Sequence, residues 1–181
     1  MPILIGSIIV LIIFVIILYN SLQTARNNVK NAWSQIDIQL QRSFDLIPNL
    51  LDSVKGYMEH EEALLTRVTE LRTAWSTSQT ISEKAKLNKE LTDSFGTIIA
   101  ISENYPMLRA NENFLNLQNE LKNIEDKIAI SRSEYNDVVT KYNIKLDTVP
   151  TNIIAKVCGF KEEELYKLDN PEIRNNVKVS F

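Results

Sequence analysis

Cysteine is almost missing from this sequence. Cys158 stands alone, which excludes an intrachain disulfide and any zinc cluster built on several thiolates. A chain with so little cysteine fits a reducing compartment. Glycine and proline are scarce, four and five in 181 residues, which suits long helices and argues against an all-β sandwich with its many tight turns. A basic tract is lacking. With 20 Lys and Arg scattered among 23 Asp and Glu, net charge −3, nothing marks a nucleic-acid partner. No Gly-rich phosphate loop and no Ser/His/Asp spacing points to a small-molecule substrate or a cofactor.

One long uncharged run is present. Ile3, Leu4, Ile5, Ile8, Ile9, Val10 and Leu11 form its first half; Ile12, Ile13, Phe14, Val15, Ile16, Ile17 and Leu18 form its second. Gly6 and Ser7 are the only weakly hydrophobic members. With its flanks the run is about 19 residues, about 28 Å of helix against a hydrocarbon core of about 30 Å. The expected role is an uncleaved membrane anchor, residues 1–19. The rivals are a cleaved signal peptide and a buried helix of a soluble protein. No basic residue precedes the run and LYNSLQTA after it is a poor cleavage site, which argues against the signal peptide. Arg26 and Lys30 follow the run closely, so the positive-inside rule expects the N-terminus outside and the main domain in the cytoplasm. Tyr19 stands where an interfacial aromatic would.

A seam follows. Tyr19, Arg26, Trp33, Leu40, Ile47 and Val54 recur by sevens, as do Leu22, Val29, Ile36, Ser43, Leu50 and Tyr57, and only Arg26 and Ser43 break the two apolar series. This spacing predicts one side of a long helix that needs helical partners. Pro48 lacks an N–H, so a kink is expected there, with a full break at Ile47 as the rival. A turn is expected near Met58 to Glu61, then a helix from about Glu62 to Trp75 carrying Leu64, Leu65, Val68, Leu71 and Trp75. STSQT reads as a loop with Thr80 and Glu83 as a capping box. The next helix should run to about Asn104 and bury Ala85, Leu91, Phe95, Ile98 and either Ile101 or Ile99. NYPMLRAN, residues 104–111, reads as a loop. The last long helix should run from about Glu112 to Leu146, with Phe114, Leu121, Ile128, Tyr135 and Tyr142 in one series and Leu117, Ile124, Ser131 and Val138 in the other.

The expected fold is all-α: a single N-terminal transmembrane helix followed by an up-and-down four-helix bundle with long first and last helices, residues 20–148. Merging the middle helices would give three. Residues 149–181 are expected as a C-terminal tail. In it Ile153, Ile154, Val157 and Phe160 form one apolar face that touches lipid or the base of the bundle, and Lys161 to Phe181 is loosely held.

Trp33, Tyr135 and Tyr142 fall on seam positions and read as packing rather than a ligand box. His60, the only histidine, sits among Glu59, Glu61 and Glu62 as a solvated helix terminus, because adjacent residues cannot converge on one metal ion. Cys158 reads as a buried or interfacial thiol rather than a nucleophile. One set resists the packing account. Ile38, Arg42, Asp45, Pro48 and Asn49 map opposite the seam and form a candidate interaction face, against the plainer reading of a solvated surface with a kink-making proline.

The string YNSLQTARNNVKNAWSQIDIQLQRSFDLIPNLLDSVKGYMEHE, with SRSEYNDVVTKYN and VPTNIIAKVCGFKEEE at later positions, closely resembles the LemA family of bacterial membrane proteins over nearly the whole chain. The resemblance implies a helical domain on one N-terminal anchor in the bacterial cell membrane, with the N-terminus outside, and no established enzymatic activity. The chain departs from the family pattern at Ser43, where a second basic residue is usual and whose loss would weaken an outer charge pattern, and at Cys158, where a bulky apolar residue is common. The expected function is a non-enzymatic scaffold that self-associates at the lipid bilayer as a homo-oligomer and organises or remodels it. The alternative is an adaptor holding a membrane protease or signalling partner. No cofactor, metal or catalytic residue is expected.

Overall fold

From Pro2 to Asp45 no proline interrupts the chain and Gly6 is the only glycine, so nothing stops a helix once it has begun. The computed structural model, which describes residues 2–58 and 61–166, has α1 running unbroken over Pro2–Asp45. Of the turn expected near Met58 to Glu61, Glu59 and His60 lie outside the described residues, as does the tail beyond Tyr166. No strand occurs among the described residues.

The interruption near Pro48 is a single residue. Leu46 is a turn residue with φ −79° and ψ −14°, and α2 resumes over Ile47–Val54 with Pro48 in its first turn. Helical dihedrals persist through Leu46 because a proline at the start of a helix removes only an N–H that would have had no partner there. Then come α3 over Glu62–Thr77 and α4 over Ile81–Ser102. Thr80 Oγ1 accepts from Glu83 N at 3.1 Å, and a Glu83 carboxylate oxygen accepts from Thr80 N at 3.2 Å, which closes the expected capping box. The Thr80 amide first, then the Thr80 hydroxyl and the Gln79 amide at 3.3 Å, hold the Glu83 carboxyl below its usual range. The segment expected as a loop holds a one-turn helix, α5, over Pro106–Arg109. Pro106 presets its own φ for a first helical position, and fully buried Leu108 ties the turn down. The last long helix, α6, spans Glu112–Asp147. Asn111 Oδ1 caps its start, accepting from the amides of Asn113 at 2.9 Å and Phe114 at 3.2 Å. A short helix, α7, covers Thr151–Cys158.

The chain divides into two compact units. The first joins α1 up to Arg42 with Lys122–Leu165; the second comprises Ser43–Leu121 with Tyr166. In the first unit Leu22, Val29, Ile36 and Leu40 are buried on α1, and Ile124, Ile128, Tyr135, Val139, Tyr142 and Leu146 on α6. Trp33 meets Tyr135 edge-on, ring centroids 5.9 Å apart. The buried residue near the end of α6 is Val139, not the expected Val138, which is half-buried. A seven-residue repeat slips by about 20° per heptad in a straight helix, so Val138 has drifted by about 60° from Leu117 while Val139 lies about 40° to the other side.

In the second unit α2 packs on α3, α3 on α4 and α4 on α5. Val68, Leu71 and Trp75 on α3 face Ala85, Leu91, Phe95 and Ile98 on α4 as its buried core; Leu64, Leu65 and Ile101 are half-buried and Ile99 is exposed. Phe44 stacks on Trp75 at 4.5 Å and 12°, and Lys84 Nζ lies 4.8 Å from the centre of the Trp75 ring. Arg67 bonds Glu70 and Glu90, tying α3 to α4 on the solvent side. Ser43 is fully buried, so it belongs to the seam and to no outer charge pattern.

Asn88 is a polar residue inside this apolar core. It is 1% exposed, and neither its side-chain Nδ2 nor its side-chain Oδ1 has a partner among the described residues. Burying such groups unpaired costs about 1–3 kcal/mol. Asn88→Leu is therefore expected to stabilise the protein by that amount, raising the midpoint of the far-UV circular dichroism melt by several degrees. A lower midpoint would show that the carboxamide is needed where it is.

Candidate interaction surfaces

Residues 3–17 leave no apolar side chain covered. Every large hydrophobic from Ile3 to Ile17 is exposed, and Leu18 is half-buried. The helix that carries them is long and apolar enough to cross a membrane, and its most apolar window makes no buried contact. A core helix of a water-soluble fold would bury one stripe of these side chains.

Just past this run, the end of the chain's described part folds back. Gly159, with φ +72°, ends α7 in the left-handed conformation that glycine adopts without a Cβ penalty. Phe160 N then donates to Ala155 O at 2.9 Å. The turn sets the Phe160 ring edge-on against Tyr19, centroids 5.7 Å apart. The Thr151 hydroxyl lies 2.5 Å from the Lys145 carbonyl oxygen and 2.7 Å from that of Thr148, fastening α7 to the end of α6. Lys145 Nζ donates to Ser21 Oγ at 3.1 Å.

Residues 161–165 then run along α6 as a strap, where the sequence suggested a loose tail. Tyr142 Oη donates to Lys161 O at 3.0 Å, and Tyr135 Oη, one heptad earlier, donates to Glu164 O at 2.9 Å. Asn143 grips Glu163 twice: its Nδ2 donates to Glu163 O at 2.9 Å, and its Oδ1 accepts from Glu163 N at 3.1 Å. Arg26, the charge that broke the first seam, lies 3.9 Å from the Glu163 carboxylate. Burial, and then the Glu163 and Glu164 carboxylates, push the Tyr135 phenol up to about 12. Burial raises Tyr142 as well, with Arg26 acting against it. Both phenols therefore stay neutral donors under ordinary conditions. The sequence signal for this strap was there: two tyrosines seven apart on a seam have hydroxyls that need acceptors. Its partner could not be read because the strap has no periodic pattern.

Of the expected apolar face after Val149, Ile153 and Val157 are exposed and Ile154 and Phe160 are half-buried, Phe160 against Tyr19. Cys158 is exposed, so it is not the buried thiol. On the proposed interaction face, Ile38 is 47% exposed and Arg42 lies one helical turn on, also exposed. In the second unit Asp45 and Asn49 are exposed and Pro48 is half-buried. Asn49 also borders an open cleft of about 390 Å³, with Asp52, Ser53, Asn113, Asn116 and Glu120 around it. Among the described residues no three His, Cys, Asp or Glu side chains are placed to hold a metal ion.

The LemA family pattern matches residues 32–181. The chain is 27% identical over 165 residues to Protein LemA of Metamycoplasma hominis, covering 86% of this chain and 75% of that protein. It is 22% identical over 187 aligned positions to Magnetosome protein MamQ 2 of Paramagnetospirillum magneticum, covering 89% of this chain and 69% of the relative. Magnetosome protein MamQ of Magnetospirillum gryphiswaldense is 21% identical, with coverage of 88% and 68%.

Proposed function

The chain belongs to the LemA family, and on that premise we propose that this membrane-associated helical protein is a non-enzymatic scaffold that self-associates at the bacterial membrane. One observation carries the reading. The same continuous helix, α1, bears an apolar run exposed at each residue from 3 to 17 and, from Leu22 onward, a buried seam of a folded unit. A helix of that kind fixes a folded body close to a bilayer and leaves it otherwise dependent on lateral contacts. Residues 3–18 serve as the anchor and residues 20–148 as the helical domain. Arg26 and Lys30 favour a cytoplasmic domain with the N-terminus outside. The names of the relatives denote no reaction, which supports a role without catalysis.

The lateral contact is assigned to the outer face of α1. Ile38 supplies an apolar centre and Arg42 a charge that pairs an acid on a neighbouring copy. The double variant Ile38→Asp with Arg42→Glu is expected to give smaller particles on analytical sizing of the detergent-solubilised protein, with an unchanged circular dichroism melt. Assembly of unchanged size would remove this face from the account.

The second reading, an adaptor for a membrane protease or signalling partner, draws on the open cleft beside Asn49. Amides and carboxylates line it, which suits the polar side chains of a partner peptide. Capture of a membrane protein that depends on Arg42 or Asp45, with no assembly of the pure protein, would favour it.

A further inference from the structure

The short helix α7 carries an apolar surface that the described residues leave uncovered. Val149 is 71% exposed, Ile153 58% and Val157 80%. Ile153 and Val157 are four residues apart and share one face of the helix, while Ala155 on the other side is buried. An eight-residue helix that shows water two large β-branched side chains needs a cover.

Its position says what the cover is. The helix is fastened at both ends to the part of α1 that has just left the apolar run. At one end Lys145, whose carbonyl faces the Thr151 hydroxyl, donates to Ser21. At the other end the Gly159 turn seats Phe160 on Tyr19. Ser21 lies three residues beyond Leu18, about 4.5 Å along the helix axis. That places α7 inside the layer, about 5–10 Å deep, in which interfacial helices bury their apolar faces among headgroups and upper acyl chains. Lys145, Lys156 and Lys161 around it are all exposed and suit lipid phosphates, with Asp147 and Glu162 as the acids of the same stretch.

We propose that α7 is an interfacial helix whose Ile153–Val157 face docks into the headgroup layer of the same bilayer that residues 3–18 cross. The inference rests on the anchor reading and adds a second, separate membrane contact. The two contacts fix the tilt and depth of α1 relative to the membrane plane, which a single anchor leaves free. Every copy then presents its lateral face at one height and one angle.

The test uses the full chain in vesicles of phosphatidylcholine and phosphatidylglycerol. In a Cys158→Ser background, a fluorescent label is placed at Val157→Cys, or at Ile9→Cys as the marker of the anchor. Quencher groups are carried either high on the lipid acyl chain or near its end. The label at 157 should lose most of its intensity to the shallow quencher and little to the deep one. The label at 9 should show the reverse. Adding Ile153→Asp should abolish quenching at 157 and leave it unchanged at 9. Quenching at 9 without quenching at 157 would overturn the proposal while the anchor stands. That includes the case in which Val157→Cys instead cross-links to a second copy. No quenching at either position would overturn both.

Discussion

Ile9→Asp combined with Ile12→Asp is expected to move the protein from the alkaline-washed membrane pellet to the soluble fraction. Each aspartate at the centre of a spanning helix costs about 2.5–3.5 kcal/mol, and each isoleucine removed forfeits about 0.3–0.6 kcal/mol. The pair therefore shifts insertion by about 6–8 kcal/mol. The fourteen large apolar residues of the run supply about 4–8 kcal/mol on the same scale, so the two charges cancel most or all of it. Ile9 and Ile12 are 52% and 53% exposed in the structure, so the folded units lose no contact. The circular dichroism melt of the soluble variant should match that of the parent in detergent. Retention of the variant in the washed pellet would mean that something other than this run holds the protein to the membrane.

Releasing the strap should have an effect of similar size. Tyr135→Phe, Tyr142→Phe and Asn143→Ala together remove four hydrogen bonds between α6 and residues 161–164. Each is worth about 0.5–1.5 kcal/mol, and the backbone groups of Glu163 lose both partners at once. A combined loss of about 3–5 kcal/mol is expected, less than strictly additive because the bonds share one segment. That raises the open population about a hundredfold or more. Trypsin should then cut after Lys161 at least that much faster, with α1 to α6 resistant. Cutting at the parental rate would show that the Phe160 seat on Tyr19 alone holds the segment. Alkali should act in the same direction. Tyr135 ionises at about 10 when unfolded and is pushed up to about 12 in the fold. Its contribution is full below pH of about 10 and is lost as the pH rises through about 12.

The periodic parts of this molecule were legible and the aperiodic parts were not. The seams of α1 and α6, the α3 core and the Thr80–Glu83 cap follow from repeats and from one short-range cap rule. Leu22, Ile36, Ile47 and Tyr142 are all fully buried. The one-turn helix at Pro106 was missed because four residues hold too little pattern to separate a turn of helix from a loop. The Val139 substitution for Val138 follows from the slip between a seven-residue repeat and a straight helix, which a heptad count ignores. The strap was missed for a different reason. Its stability comes from Tyr135, Tyr142 and Asn143, placed 19 to 29 residues before their acceptors, and an extended segment bound through its backbone leaves no mark on its own side chains. Arg26 and Ser43 looked alike as breaks in the seams. The structure separates them, with Arg26 facing Glu163 and Ser43 fully buried.

The scaffold reading depends on copies of this chain meeting one another. Its most direct test is the mass and shape of the full-length protein, purified alone, in detergent and again in lipid, by light scattering and electron microscopy. The account predicts a discrete oligomer in both, reduced by Ile38→Asp with Arg42→Glu. A monomer in both would contradict it and leave an anchored adaptor whose activity resides in its partner.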